Sequence, residues 1–322
     1  MCLKEGLYDV PNERKIHKNP IPRLGGVAIW LCTILTFLIL VLAYHEYPKG
    51  NGLSGILVGG SLIFLLGLVD DLYNLSPKFK LFAQLGAALI AFLLGVKIDF
   101  LNNPFGGIVY LGAFALPVTI LWIVGISNAM NFIDGVDGLA GTVGIISSIT
   151  LAVIAVSTLA PSPVSALVAS ILAGSLMGFL LFNFNPARIF MGDSGALFVG
   201  FTLAALSVVG VLKTIAVTLL LPMFILAAPI MDISYSTIRR LLKGKSPFIA
   251  DSEHIHHKLI GAGLSHNRTV LVFVLMTISA GIIATFLVHA IKLYLSIIFI
   301  ICIFLLILSF ISKHRRNDDE II

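Results

Sequence analysis

The chain has 322 residues, 58% of them hydrophobic and only 11% charged, with a formal net charge of +5. Soluble domains carry about 25% charged residues, so a mean hydropathy of +1.04 excludes a soluble globule and leaves a polytopic membrane protein. The basic excess is dispersed over loops beside apolar runs, which excludes nucleic acid as its target.

Apolar runs predict about ten membrane helices, at roughly 24–46, 53–69, 81–96, 113–129, 142–159, 164–182, 196–211, 214–237, 270–289 and 292–312. The fold class expected is therefore all-α and polytopic; runs of this length exclude a strand barrel. One integral-membrane domain, 1–322, accounts for the whole chain. It comprises a basic segment at 1–23, a large loop at 238–269 and a tail at 313–322. Met1 to Arg23 is polar and carries no signal-peptide pattern.

Ten spans put both termini on one side. Of the 21 Lys and Arg residues, only Lys49, Lys97, Lys213 and Lys292 then fall on the other side. The positive-inside rule makes the crowded side cytoplasmic. Outside, Lys97 to Gly112 alternates apolar residues around Asn-Pro and Gly-Gly, as a short β-hairpin would. Cys2, Cys32 and Cys302 have no metal-ligand spacing and read as inert.

The polar stretches all fall on the cytoplasmic side, and they carry the chemistry. Asp70-Asp71 closes the second span. A helix terminus facing water is the plain reading, but two acids at a C-terminal end oppose the helix dipole. They also precede Lys78 and Lys80 closely, and phosphate handling beside a metal explains both signs of charge. Asn128, Asn131, Asp134 and Asp137 follow at steps near three, with glycines between that let a ligand approach the backbone. Capping needs one such residue, not four.

Asn183 to Gly195 (NFNPARIFMGDSG) opens the seventh span. Asp193 near a helix N-terminus suits the dipole on structural grounds alone. With Arg188 nearby it also suits a hard cation, since Mg²⁺ takes one or two carboxylates plus substrate phosphates. Phe190 is either a plain membrane aromatic or a stacking platform. His254, His256 and His257 lie in the large loop without the spacing of a zinc helix; zinc, phosphate and nucleotide binding stay open for them. Asp232, near the cytoplasmic end of a span, reads equally well as structural or functional.

Five segments carry a resemblance: GGVAI at 25–29, DDLYNLSPKFK at 70–80, NAMNFIDGVDGLAG at 128–141, NPARIFMGDSG at 185–195 and HIHHKL at 254–259. In this order they resemble the polyprenyl-phosphate N-acetylhexosamine-1-phosphate transferases, bacterial membrane enzymes that start lipid-linked glycan synthesis. The HIHH form resembles the branch that uses UDP-N-acetylglucosamine and starts teichoic acid, O-antigen or related polymers. Members of that branch usually carry a further span before the basic segment; here Met1 lies about two dozen residues before Gly25.

The resemblance implies transfer of N-acetylglucosamine 1-phosphate from UDP-N-acetylglucosamine to undecaprenyl phosphate, with release of UMP. It implies Mg²⁺, with Mn²⁺ as substitute, an inner (plasma) membrane location with the site at the cytoplasmic face, and a homodimer. It places Mg²⁺ on Asp193, with Asp70 and Asp71 on the metal or the lipid phosphate. Asn128, Asn131, Asp134, Asp137, Asn183 and Phe190 would line the nucleotide pocket. Lys78 and Arg188 would meet phosphate, and His254, His256 and His257 the diphosphate or sugar. Direct attack by the lipid phosphate is the favoured mechanism, a covalent aspartyl intermediate the rival. The phospho-N-acetylmuramoyl-pentapeptide translocases are the sister reading; a secondary transporter of an anionic solute is the reading from another class.

Overall fold

A computed structural model describes residues 8–9, 20–44, 52–102, 107–157, 161–211, 223, 226–242, 255–287 and 291–319. Its helices are α1 (Gly25–Tyr44), α2 (Leu53–Tyr73), α3 (Pro77–Leu93), α4 (Ala115–Ile133), α5 (Leu139–Ser157) and α6 (Pro163–Asn183). They continue with α7 (Gly192–Leu206), α8 (Ala227–Leu242), α9 (Ile255–Gly261), α10 (His266–Leu287) and α11 (Ile291–Asp319). Among the described residues, seven helices are long and apolar enough to cross a membrane. The protein is an all-α, multi-pass membrane protein. Of the expected span at 214–237, residues 214–222 and 224–225 lie outside the described residues, and α8 takes up its final part.

Several helices extend past the apolar runs into polar sequence, because hydropathy stops at the first charge whereas backbone hydrogen bonding does not. Helix α2 runs on through Asp70 and Asp71 to a left-handed Asn74, whose N–H closes on the Asp70 carbonyl at 2.8 Å. Helix α3 begins at Pro77 rather than 81. Ser76 is its N-cap and Pro77 sits in the first turn, where its missing N–H costs nothing. Helix α4 reaches Ile133 and so includes Asn128 and Asn131. Helix α7 starts at Gly192, which puts Asp193 in its first turn, and continues as a π-helical turn over Ser207–Val211.

Two small ribbons accompany the helices. Strands β3 (Phe100–Asn102) and β4 (Ile108–Tyr110) pair antiparallel, Leu101 opposite Val109, as the alternation predicts; residues 103–106 between them lie outside the described ones. Strands β1 (Tyr8–Asp9) and β2 (Ile21–Pro22) also pair, which the polar N-terminal composition gave no reason to expect.

Helices α5 and α7 form the centre, each 83% buried across its apolar window, while α1 at 22% faces outward. Helix α7 packs on α2 and α4, and α5 on α6 and α10. Between lipid-solvated helices the hydrophobic effect contributes little, so close approach of small residues supplies the attraction. A methyl group on Gly67 of α2 would lie 2.5 Å from Ser194 Cα, and one on Gly200 of α7 would lie 2.7 Å from Ser127 Cα. Side-chain bonds also join neighbouring helices, among them Trp30 to Ser61, Thr33 to Ser175 and Trp122 to Ser207, at 3.1 to 3.2 Å. Each contributes about 0.6 kcal/mol in such a setting. The packing therefore holds the aspartate- and asparagine-bearing ends of α2 and α4 against the start of α7.

Candidate active site

At those ends lies a carboxylate centre. Lys80, in the first turn of α3, reaches the Asp70 Oδ2 atom at 2.6 Å and is also hydrogen-bonded to Asp193 Oδ2. The second Asp70 oxygen accepts the Leu75 N–H at 2.7 Å. The Asn131 amide lies within hydrogen-bonding reach of Asp193, and Asp70 and Asp193 interact directly. Two motifs far apart in sequence thus share one lysine, and a third joins them through Asn131.

Asp71 does something else. Its two oxygens accept the N–H groups of Asp193 at 2.8 Å and Ser194 at 3.0 Å. Helix α7 has no side-chain cap from its own N-cap residue Met191, so a carboxylate from α2 supplies one. Gly192 makes room for it: the backbone there is left-handed (φ 71°), and a methyl would sit 2.7 Å from Asp71 Oδ2.

A second set of bonds ties the α4–α5 turn to the α6–α7 loop. Asp137 Oδ2 accepts the Asn185 side-chain N–H and the Ala187 N–H, both at 3.0 Å. Asn183 accepts the Gly138 N–H at 3.0 Å and donates to the Ile189 carbonyl at 2.9 Å. The α6–α7 loop then clips to the residues before α1. Phe190 N–H donates to the Pro22 carbonyl at 2.8 Å, and Gly25 and Gly26 donate to the Phe190 and Met191 carbonyls at 2.9 Å.

Asp134 caps the end of α4 and keeps part of its surface open. Enclosure by surrounding protein raises its pKa well above the ordinary carboxylate value, and the negative charges of Asp193, Asp71 and Asp137 add to that rise. Asp70, Asp71 and Asp193 together outnumber the one positive charge that Lys80 brings. Among the described residues no three His, Cys, Asp or Glu side chains form a ready metal cage. Magnesium needs none, since it takes one or two carboxylates and completes its shell with water and substrate phosphate. A carboxylate pair with surplus negative charge fits that ion.

The histidine segment meets the α4–α5 turn at Gly135. His256 is 1% exposed, and its Nδ1 lies 3.6 Å from Asp232 Oδ2. Its Nε2 faces the Gly135 backbone, where an added methyl would lie 2.7 Å away. His254 and the side chain of His257 lie outside the described residues.

Other expected site residues are placed elsewhere. Asn128 forms a reciprocal amide pair with the buried Gln84 of α3, at 2.6 and 3.2 Å, and serves helix packing. Lys78 is exposed. Arg188, also exposed, lines an open groove of about 930 Å³ between α1 and α6 with Cys32, Phe179 and Phe182. The residue missed is Lys80. A lysine in the first turn of a helix opposes the dipole, so it calls for carboxylate partners, and that was its signal.

The glycosyl transferase family 4 profile matches residues 53–211. Over 313 residues the chain is 40% identical to the probable undecaprenyl-phosphate N-acetylglucosaminyl 1-phosphate transferase of Bacillus subtilis (strain 168), covering 96% of this chain and 85% of that one. It is 33% identical over 308 residues to the decaprenyl-phosphate N-acetylglucosaminephosphotransferase of Mycolicibacterium smegmatis, covering 88% and 75%. It is 29% identical over 297 residues to the undecaprenyl-phosphate alpha-N-acetylglucosaminyl 1-phosphate transferase of Escherichia coli (strain K12), covering 88% and 77%. Shared apolar composition does not produce identity at this level across almost a whole chain, and the protein belongs to glycosyl transferase family 4.

Proposed function

We propose that the protein transfers N-acetylglucosamine 1-phosphate from UDP-N-acetylglucosamine to a polyprenyl phosphate, releasing UMP, at the cytoplasmic face of the plasma membrane. The observation that carries this reading is the Lys80 bridge, which gathers Asp70 and Asp193 at the ends of three membrane helices. A lipid phosphate lies at that depth while its chain stays among the spans. The relatives named above, which share 29 to 40% of their residues with the chain, support the donor sugar and the polyprenyl acceptor.

Phosphoryl transfer asks for positioning and charge neutralisation rather than covalent work by the protein. An oxygen of the lipid phosphate bonds to the sugar-linked phosphorus. The bond from that phosphorus to the bridging oxygen breaks, and UMP leaves with the oxygen. A phosphate monoester has its second pKa near 6, so the acceptor is largely dianionic at neutral pH and needs orientation more than a base. Lys80 supplies a positive charge for it, and Asp70 holds that lysine in place. Asp193 and Asp70 are the residues that would hold Mg²⁺, which when bound neutralises diphosphate charge. Asn131, Asp134 and Asp137 surround the donor. Both Asp71 oxygens are taken by backbone amides, which supports direct attack over an aspartyl intermediate at that residue.

The test uses purified protein in detergent with Mg²⁺, undecaprenyl phosphate and UDP-N-acetylglucosamine, following UMP and lipid product together. Release of UMP is expected to require the lipid and to stop with EDTA. Asp193→Asn should lose at least about a hundredfold in rate with an unchanged melting temperature. UMP release without lipid, or a fully active Asp193→Asn protein, would overturn the reading.

A further inference from the structure

The buried pair Asp232–His256 belongs to neither the carboxylate centre nor the backbone clips. Asp232, on α8, is 0% exposed, and both its oxygens lie beside one short segment. Oδ1 accepts the Ile255 N–H at 2.7 Å, at the start of α9, and Oδ2 lies 3.6 Å from His256 Nδ1. The far edge of the imidazole meets Gly135, between Asp134 and Asp137. Helix α8 itself packs on α4. A line of contacts therefore runs from α8 through one imidazole to the turn that carries the site's acids.

Burying a carboxylate is unfavourable unless its partners are held in good geometry. Capping α9 would explain Oδ1 alone, and an asparagine would cap as well. The second oxygen, facing the imidazole, is what only a carboxylate provides, much as carboxylates orient metal-bound histidines. We infer that Asp232 is a positioning residue: through His256 it holds α9 against the Asp134–Gly138 turn, and so sets the donor side of the site. This rests on the proposed function for what the turn binds, but not for the contact itself.

Two substitutions press on the pair from opposite ends. Asp232→Asn keeps an oxygen for the Ile255 N–H but presents an NH₂ to the imidazole. Gly135→Ala puts a methyl against Nε2, at a backbone conformation alanine accepts. Each should raise KM for UDP-N-acetylglucosamine about tenfold, leaving KM for undecaprenyl phosphate and the melting temperature as in the wild type. Adding Asp232→Asn to His256→Asn should cost nothing further, because both remove one contact. Trypsin cleavage at the exposed Lys258 in the folded protein, which needs no turnover, should be faster in both single variants. Unchanged KM and cleavage would overturn the inference. So would parallel changes in both KM values with a lowered melting temperature, which would give Asp232 a folding role only. A wild type that releases no UMP would sink the functional reading instead, and the cleavage rates would still decide the contact.

Discussion

Asp70 and Asp71 are neighbours on one helix, yet they belong to two differently built regions. Asp70 faces a lysine side chain that it shares with Asp193, an arrangement made of charges that a phosphate or a cation can exchange into. Asp71, like Asn183, is held by backbone groups that nothing arriving from solution replaces. The first region is made to be rearranged in each turnover and the second to stay. Polar residues crowded at one membrane face are thus not all site residues in the same sense; what the partner is made of separates them.

The largest break in that comparison comes from Lys80→Met, which leaves Asp70 and Asp193 facing each other without a counter-charge. Turnover should fall by at least about a hundredfold, while Lys78→Met, one exposed lysine away, loses far less; initial rates of UMP release compare them. Next is Asp71→Asn, which weakens the cap on α7. Its main effect should be on stability, a loss of about 1–2 kcal/mol in a reversible denaturant titration, with activity reduced less than in Lys80→Met. A larger rate loss than stability loss would move Asp71 into the exchangeable region.

The smallest effect sharpens the electrostatics. Asp134 has its folded pKa raised above the ordinary value, so the folded state holds this proton more tightly than the unfolded chain does. Its contribution is full below the ordinary carboxylate pKa and is lost as pH rises through the raised one. Asp134→Asn should remove that slope and leave the EDTA-treated protein more stable at neutral pH, by under about 1 kcal/mol or about 2 °C in melting temperature. Melts across that pH range, without metal, check it.

Much of the frame was legible in the sequence. The apolar runs gave the helices, and the Lys97–Gly112 alternation gave the β3–β4 ribbon. What hydropathy left obscure was phase. Lys78 and Lys80 are two residues apart, about 200° around a helix, so only the true start of α3 decides which one meets Asp70. Ser76-Pro77 marks that start, but the apolar count begins later. Asn128 looked like a member of the site because it shares a helix with Asn131. Its partner Gln84 lies on α3, and no local pattern announces a pairing between helices. Nor could the Asp71 cap be read, because its donors are 122 and 123 residues away.

That distance has a consequence for how the protein is made. Asp71 is synthesised 122 residues before Asp193, so the acceptor for the first amides of α7 is already in the bilayer when they leave the ribosome. Helix α7 therefore enters beside a seat prepared by α2, with Gly67 leaving it space. The reaction centre is finished by docking a late helix on an early one, and a lesion at Asp71 would first show as an assembly delay in the translating cell.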